Sequence, residues 1–278
     1  MNRLDAFKSI AAQASRGELT FPTSVDASLK LQQALSDPDC HIDAAAKLVQ
    51  ANPLLAARTV AIANSVAYNR SGNEISSVRA AVQRMGVRTL QSLVAALIVR
   101  QIGSAITDPP TKAKLAQLWE HTAHVAALAQ VIARRVTRVD PDTALFAGIV
   151  HEVGGFYMLS RAAEFPAMLD GGPDDWIEHG EQEIGRGVLK KLVIPEAVMG
   201  AVEALWEGFR ALPPEDLGDT LLLANDLSPV ASPLHENPGA TSAQAARTID
   251  CEIGEGTLTG IMAESAAEVQ SLLAVLML

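Results

Sequence analysis

The stretch from Thr143 to Ser160, TALFAGIVHEVGGFYMLS, constrains this chain more than any other. It is apolar around its whole circumference, so it reads as one helix with no face left for water, buried at the centre of a domain. Gly148, Gly154 and Gly155 lower helix propensity in such a run. Their expected use is close approach to a neighbouring helix. His151 and Glu152 are its only titratable groups. Polar groups in such a setting need partners, which marks the pair for attention.

The rest of the chain reads the same way. Hydrophobic residues make up 49% of 278 positions but aromatics only 4%, so the apolar mass is largely Ala, Leu and Val, and the Ala and Leu share favours helix. No segment sustains period-two alternation, and an all-α fold is expected. Asn52-Pro53 and Asp140-Pro141 each put a capping side chain before a proline at the first helical position. Ser36-Asp37-Pro38 and Asp108-Pro109-Pro110 read as loops, and Gly171-Gly172-Pro173 as a turn. Val82, Met85 and Leu90, then Leu93, Leu97 and Ile98, suit two helices joined near Gly86. From Lys112 to Arg138 one helix is expected, with Leu118, His121, Thr122, Val125, Leu128 and Ile132 on its buried stripe. His124 falls toward the polar side. Arg134, Arg135 and Arg138 close this helix, where cations complement the dipole. Two helices are expected from Pro173 to about Arg210, another from Thr220 to Leu227, a Pro/Ser/Gly-rich loop over 228–242, and two helical stretches beyond it.

Charge excludes some functions. The net value is −10, and residues 1–200 carry 20 basic and 20 acidic residues. The excess therefore lies after residue 200, where Arg210 and Arg247 face twelve acids. Such a surface repels phosphate backbones, so no nucleic-acid partner is expected. Cys40 and Cys251 lack metal-ligand spacing and read as two thiols in a reducing compartment. The first residues lack an apolar leader core, and no apolar run approaches the ~20 residues that span a bilayer. A cytoplasmic protein with no membrane partner is expected.

His121, followed 30 residues later by His151-Glu152, has the flavour of a metal site, in which His and carboxylate ligands converge from different helices. By themselves, paired core histidines are more often structural. Around them, NPLLAARTVAIANSVAYNRSGNEISSVRAAVQRMGVRTLQSLV over 52–94 resembles the HDOD family, the HD-related output domains of bacterial signalling proteins. The resemblance is carried by Asn52-Pro53, Leu54-Leu55, Asn64-Ser65, Ile75-Ser76 and Met85-Gly86. Further matches are Trp119-Glu120-His121-Thr122, Gly148 to Gly154, and Ile184-Gly185 followed by Ile194-Pro195.

The resemblance implies a multi-helix bundle related to the HD metal phosphohydrolases, divided into an N-terminal helical subdomain (1–108) and an HD-like bundle with acidic C-terminal helices (109–278). It also implies a regulatory module without hydrolase activity, working through a protein partner or a small regulator. Departures from the hydrolase pattern point the same way. His151-Glu152 stands for a His-Asp doublet, Gln182 for a histidine, and Leu205-Trp206 for paired histidines. Asn225 stands for a late aspartate, although Asp226 beside it leaves that position open. The surviving ligand candidates are His121, His151, Glu152 and Asp226. No catalytic residue, metal or other cofactor is expected; the alternative is a residual phosphohydrolase acting on a nucleotide or cyclic dinucleotide. Asn64 and Ser65 are candidate binding residues, although both side chains bond backbone readily in turns.

Overall fold

The computed structural model describes residues 2–169, 171–209, 211, 213–235, 250 and 257–277. Among these, every regular element is a helix. In chain order they are α1 (Arg3–Ser15), α2 (Thr23–Leu35), α3 (Ile42–Gln50), α4 (Pro53–Ala63), α5 (Val78–Ile102), α6 (Pro109–Ile132), α7 (Pro141–Val150), α8 (Val153–Ser160), α9 (Asp174–His179), α10 (Glu181–Lys191), α11 (Glu196–Glu207), α12 (Leu217–Asp226) and α13 (Thr257–Leu276). Among the described residues the final acidic stretch contributes the long helix α13; residues 236–249 and 251–256 of the expected loop and helical tail lie outside the described residues.

The helix starts follow from their capping chemistry. Asn52 accepts from Leu55 N at 3.1 Å, Asp140 from Thr143 N at 2.6 Å and Asp108 from Thr111 N at 3.0 Å. Each satisfies an amide that the first turn leaves without a partner. Asp108-Pro109-Pro110 is therefore a helix entry rather than a loop, the prolines filling positions whose missing N–H costs nothing. Gly86 sits at φ 82°, ψ 170° inside α5 and breaks it into the two expected pieces, a conformation that a residue with a Cβ would resist.

Three segments differ from the sequence expectation. In place of the two helices expected after Pro173 there are three, α9, α10 and α11, because Gly180 breaks the first expected helix between His179 and Glu181. The apolar run splits into α7 and α8 at His151-Glu152, where Glu152 leaves helical geometry at φ −101°, ψ 15°. Periodicity is blind to this break, because both pieces are buried on all sides. The Lys112–Arg138 segment starts earlier, at Pro109, and its α-helix ends at Ile132. A π-turn over Ala133–Thr137 follows and stops at Arg138, in the left-handed region at φ 60°.

Helices α6 and α7 pack together at the centre. Helices α4 and α7 lie on α5, α2 and α3 cover another side of α5, and α12 and α13 lie on α6. Helix α1 packs on α9 and α10. Tyr68 fastens the loop after α4 to the centre: its hydroxyl donates to Asp142 at 2.7 Å and accepts from Gln130 at 2.6 Å. The arginines of the π-turn after α6 meet the acidic α13, with Arg135 on Glu264 at 2.9 Å and Arg134 on Glu268.

The seam between α6 and α7 has no spare volume. A Cβ on Gly148 would lie 2.4 Å from Ala126 Cα and 2.9 Å from Ala126 N, backbone atoms that cannot swing aside. Gly148→Ala is therefore expected to cost about 3 kcal/mol, at the upper end for overpacking. Gly200→Ala on the exposed face of α11, where an added Cβ meets nothing within 4 Å, should raise stability by up to about 1 kcal/mol. Denaturant unfolding of the two variants checks this; equal midpoints would refute the tight seam.

Candidate functional site

His121 projects from the middle of α6 and His151 ends α7 three residues beyond Gly148. The glycine seam brings them together, with their Nε2 atoms 3.3 Å apart. Both rings are buried, at 3% and 4% exposure. Each Nδ1 faces a carbonyl oxygen, Val230 at 2.8 Å for His121 and Gly148 at 2.7 Å for His151. A carbonyl only accepts, so both rings carry a proton at Nδ1. Their Nε2 lone pairs are turned toward one another.

Glu152 lies in the turn between α7 and α8, 5% exposed. It accepts from the Ser232 hydroxyl at 2.8 Å and sits 3.4 Å from His235 Nδ1. The other His235 nitrogen meets Glu181 of α10 at 2.7 Å. One imidazole thus bridges two carboxylates. These contacts come from the segment 228–235, which follows α12 and runs across the site, its Val230 carbonyl, Ser232 hydroxyl and His235 ring each meeting a core group. Glu152, Glu181, His151, Asn225, Leu205, Trp206, Ile177 and His235 enclose a cavity of about 200 Å³.

Burial dominates the two core histidines. It pushes His151 down to about 4, only partly opposed by the Glu152 charge, and lowers His121 in the same way. For Glu152 burial favours the neutral acid, but the hydrogen bond and charge of His235 outweigh it and hold the carboxyl below the usual range. Burial likewise disfavours charge on His235, yet its bonds to Glu152 and Glu181 lift it to about 10. A buried carboxylate and an imidazolium sustain each other here.

Of the residues singled out in the sequence, His121, His151 and Glu152 come together, with ligand atoms all within 4.8 Å of one another. Asn225 lines the cavity and its side chain bonds His121, whereas Asp226 is exposed at the end of α12. The cavity thus meets an amide from α12, not a carboxylate, at this point. Glu181, rather than the exposed Gln182, faces the cavity from α10. Asn64 spends both ends of its amide on the Ile75 backbone, donating to its carbonyl at 2.7 Å and accepting from its N–H at 2.8 Å, and Ser65 is buried. Neither lines this cavity. His124 is half-buried, less solvent-facing than its helix position suggests. Sequence reasoning missed His235, Ser232 and Glu181. The loop carrying the first two has no periodicity, and a lone histidine there gave no local signal.

Two imidazoles and a carboxylate are the donor types of a site for a divalent ion, and their ligand atoms lie within 4.8 Å of one another. Metal-bound histidines commonly donate their remote N–H to a carbonyl, as both rings do here. His121 Nε2, His151 Nε2 and the Glu152 carboxylate would hold it. Such an ion would supply Lewis-acid activation of water or of a phosphoryl oxygen.

The HDOD domain family model matches residues 21–171, and an HD domain model matches residues 118–235, a span containing every site residue described above. No curated protein matches the chain. Among solved structures, a provisionally assigned metal-dependent phosphohydrolase from Shewanella amazonensis SB2B is similar over 99% of both chains, with TM-score 0.73 and 20% identity. An HDOD domain protein of unknown function from Geobacter sulfurreducens is similar over 98% of both, with TM-score 0.65 and 20% identity. A provisionally assigned signal transduction protein from Marinobacter aquaeolei VT8 has TM-score 0.59 and 18% identity over 92% of this chain and 60% of its own. At these identities the likeness shows a shared fold.

The proton inventory gives a pH profile. His235 binds its proton more tightly folded than unfolded, so its contribution is complete below its free value of 6.5 and is lost as pH rises toward about 10. His151 binds its proton less tightly when folded, so stability falls as pH drops from 6.5 toward about 4. His121 acts in the same direction, and Glu152 removes its share as it protonates. The melting temperature is expected to peak near neutrality and decline on both sides. In His235→Gln the alkaline decline between pH 7 and 10 should flatten while the acid limb persists. An unchanged alkaline limb would rule out the bridging imidazolium.

Proposed function

This chain belongs to the HDOD family, and we propose that it is a regulatory module of bacterial signal transduction that works by binding, without catalytic turnover. The observation that carries this reading is the seating of residues 228–235 on the hydrolase-like core. That segment puts the Val230 carbonyl on His121, the Ser232 hydroxyl on Glu152 and the His235 ring between Glu152 and Glu181. The space left, about 200 Å³, falls below the ~300 Å³ at which small-molecule pockets begin, and a nucleotide needs more. Hydrolysis also needs a coordination position open to water and substrate. Here the Glu152 carboxylate is already bound to Ser232 and neutralised by His235, and Asn225 offers an amide where a carboxylate would strengthen a cation site.

A binding role draws support from exposed apolar side chains outside the core. Phe209 is 83% exposed, Val193 63% and Leu54 51%. The partner we expect is another protein of the signalling pathway or a small regulator. No helix among the described residues is long and apolar enough to cross a membrane, which accords with a cytoplasmic module.

One observation favours a second reading, a metal-dependent phosphohydrolase: the facing Nε2 lone pairs with a carboxylate beside them. The two readings separate in one assay. Purified protein with Mn²⁺ or Mg²⁺ is offered nucleoside triphosphates, cyclic dinucleotides and p-nitrophenyl phosphate, next to His151→Ala. The regulatory reading predicts rates indistinguishable between wild type and variant. Metal-dependent turnover that drops by about 100-fold or more on losing His151, the scale at which general acid–base or metal assistance operates, would establish the hydrolase instead.

A further inference from the structure

A group of donors without partners lies on α4, α5 and α6, outside the histidine site. Arg58 of α4 is only 8% exposed, and its buried Nε has no hydrogen-bond partner. Arg100, near the end of α5, stacks over the Trp119 ring of α6 at 5.6 Å, and its buried Nη1 is likewise without a partner. The Trp119 indole N–H, on a residue 7% exposed, is the third orphan donor. No carboxylate among the described residues pairs with either guanidinium. Glu120, next to Trp119 in sequence, is exposed and acts on His124.

This arrangement is costly as it stands. Buried charge is ordinarily paired, and buried N–H groups are ordinarily bonded. Here two cations are neighbours: burial first, and the positive charge of Arg100 second, push the Arg58 guanidinium down. Water can satisfy the N–H groups, but only an anion relieves both the missing bonds and the repulsion. Two guanidiniums supply forked donors suited to oxyanions, and their combined charge matches a dianion better than a single carboxylate. Leu54, one turn before Arg58 on α4, is 51% exposed, so the group lies one helical turn from solvent-facing surface.

We propose that Arg58, Arg100 and the indole N–H of Trp119 form a binding site for a phosphate dianion, either inorganic phosphate or the terminal group of a small phosphate ester. The site ties α4, α5 and α6 together through a ligand, so its occupancy stabilises the N-terminal half against the central helix. It lies on none of the residues that enclose the histidine cavity.

The test is thermal unfolding of the whole chain at constant ionic strength, with inorganic phosphate, glycerol phosphate, acetate or chloride as the varied anion. Phosphate at about 10 mM is expected to raise the melting temperature by about 3 °C over chloride, as a site with Kd near 1 mM would. A larger effect of glycerol phosphate would identify the ester as the ligand; an equal one would identify the free ion. Arg58→Met and Arg100→Met should each abolish the phosphate response, and Arg58→Met, which removes the repulsion and leaves the Arg100–Trp119 stack in place, should melt in chloride no lower than wild type. Trp119→Phe, which keeps the ring beneath Arg100 but lacks the N–H, should weaken phosphate several-fold. No phosphate effect on wild type overturns the proposal, whatever the variants do. A response of equal size with acetate, or one that persists in both methionine variants, overturns it too.

Discussion

The contact on which the site depends is a seam without side chains. Gly148 of α7 lies against the backbone of α6 at Ala126, closer than any Cβ would permit. His121 is five residues before Ala126 and His151 three after Gly148, so this approach sets their Nε2 atoms 3.3 Å apart. A second close approach, Gly154 of α8 against Gly185 of α10, brings the helix carrying Glu181 toward Glu152. Both donor groups are therefore products of glycine packing, and each would disperse if the helices were held apart by one methyl.

Once the helices are this close, electrostatics decides what the interior can tolerate. A fully buried carboxylate such as Glu152 is costly unless hydrogen-bonded and neutralised. The chain meets this need with Ser232 and His235 from the segment after α12. His235 in turn is shared with Glu181. The contacts that make the core electrostatically viable are the same ones that crowd the His121–His151 site. In our reading, this is how a member of the HDOD family keeps the hydrolase architecture as a regulatory scaffold.

Much of the fold was legible in the sequence because its signals are local. Asn52-Pro53 and Asp140-Pro141 announce helix starts through caps and fixed φ, and Gly86 announces a break. The His121, His151 and Glu152 group was also legible, because His121 lies on a periodic buried stripe, His151 and Glu152 are the only titratable groups of an all-apolar run, and both segments match family motifs. What stayed hidden depends on distant partners. The division of the apolar run at Glu152 reflects a carboxylate held by residues 80 and more positions downstream. The choice between Asn225 and Asp226 is a rotation of about 100° around α12, which packing fixes and spacing does not. Arg134 and Arg135 looked like dipole complements at a helix end; the structure pairs them with Glu268 and Glu264 of an acidic helix whose position no local pattern reveals.

The central claim is that the two core imidazoles face each other beneath a seated segment that occupies the Glu152 carboxylate. Anomalous diffraction at the manganese edge, from crystals equilibrated with Mn²⁺, addresses it directly. The account predicts no ordered metal bonded to His121 and His151, with Ser232 still on Glu152. An anomalous peak bonded to both Nε2 atoms and to a Glu152 released from Ser232, with a water completing its shell, would contradict it.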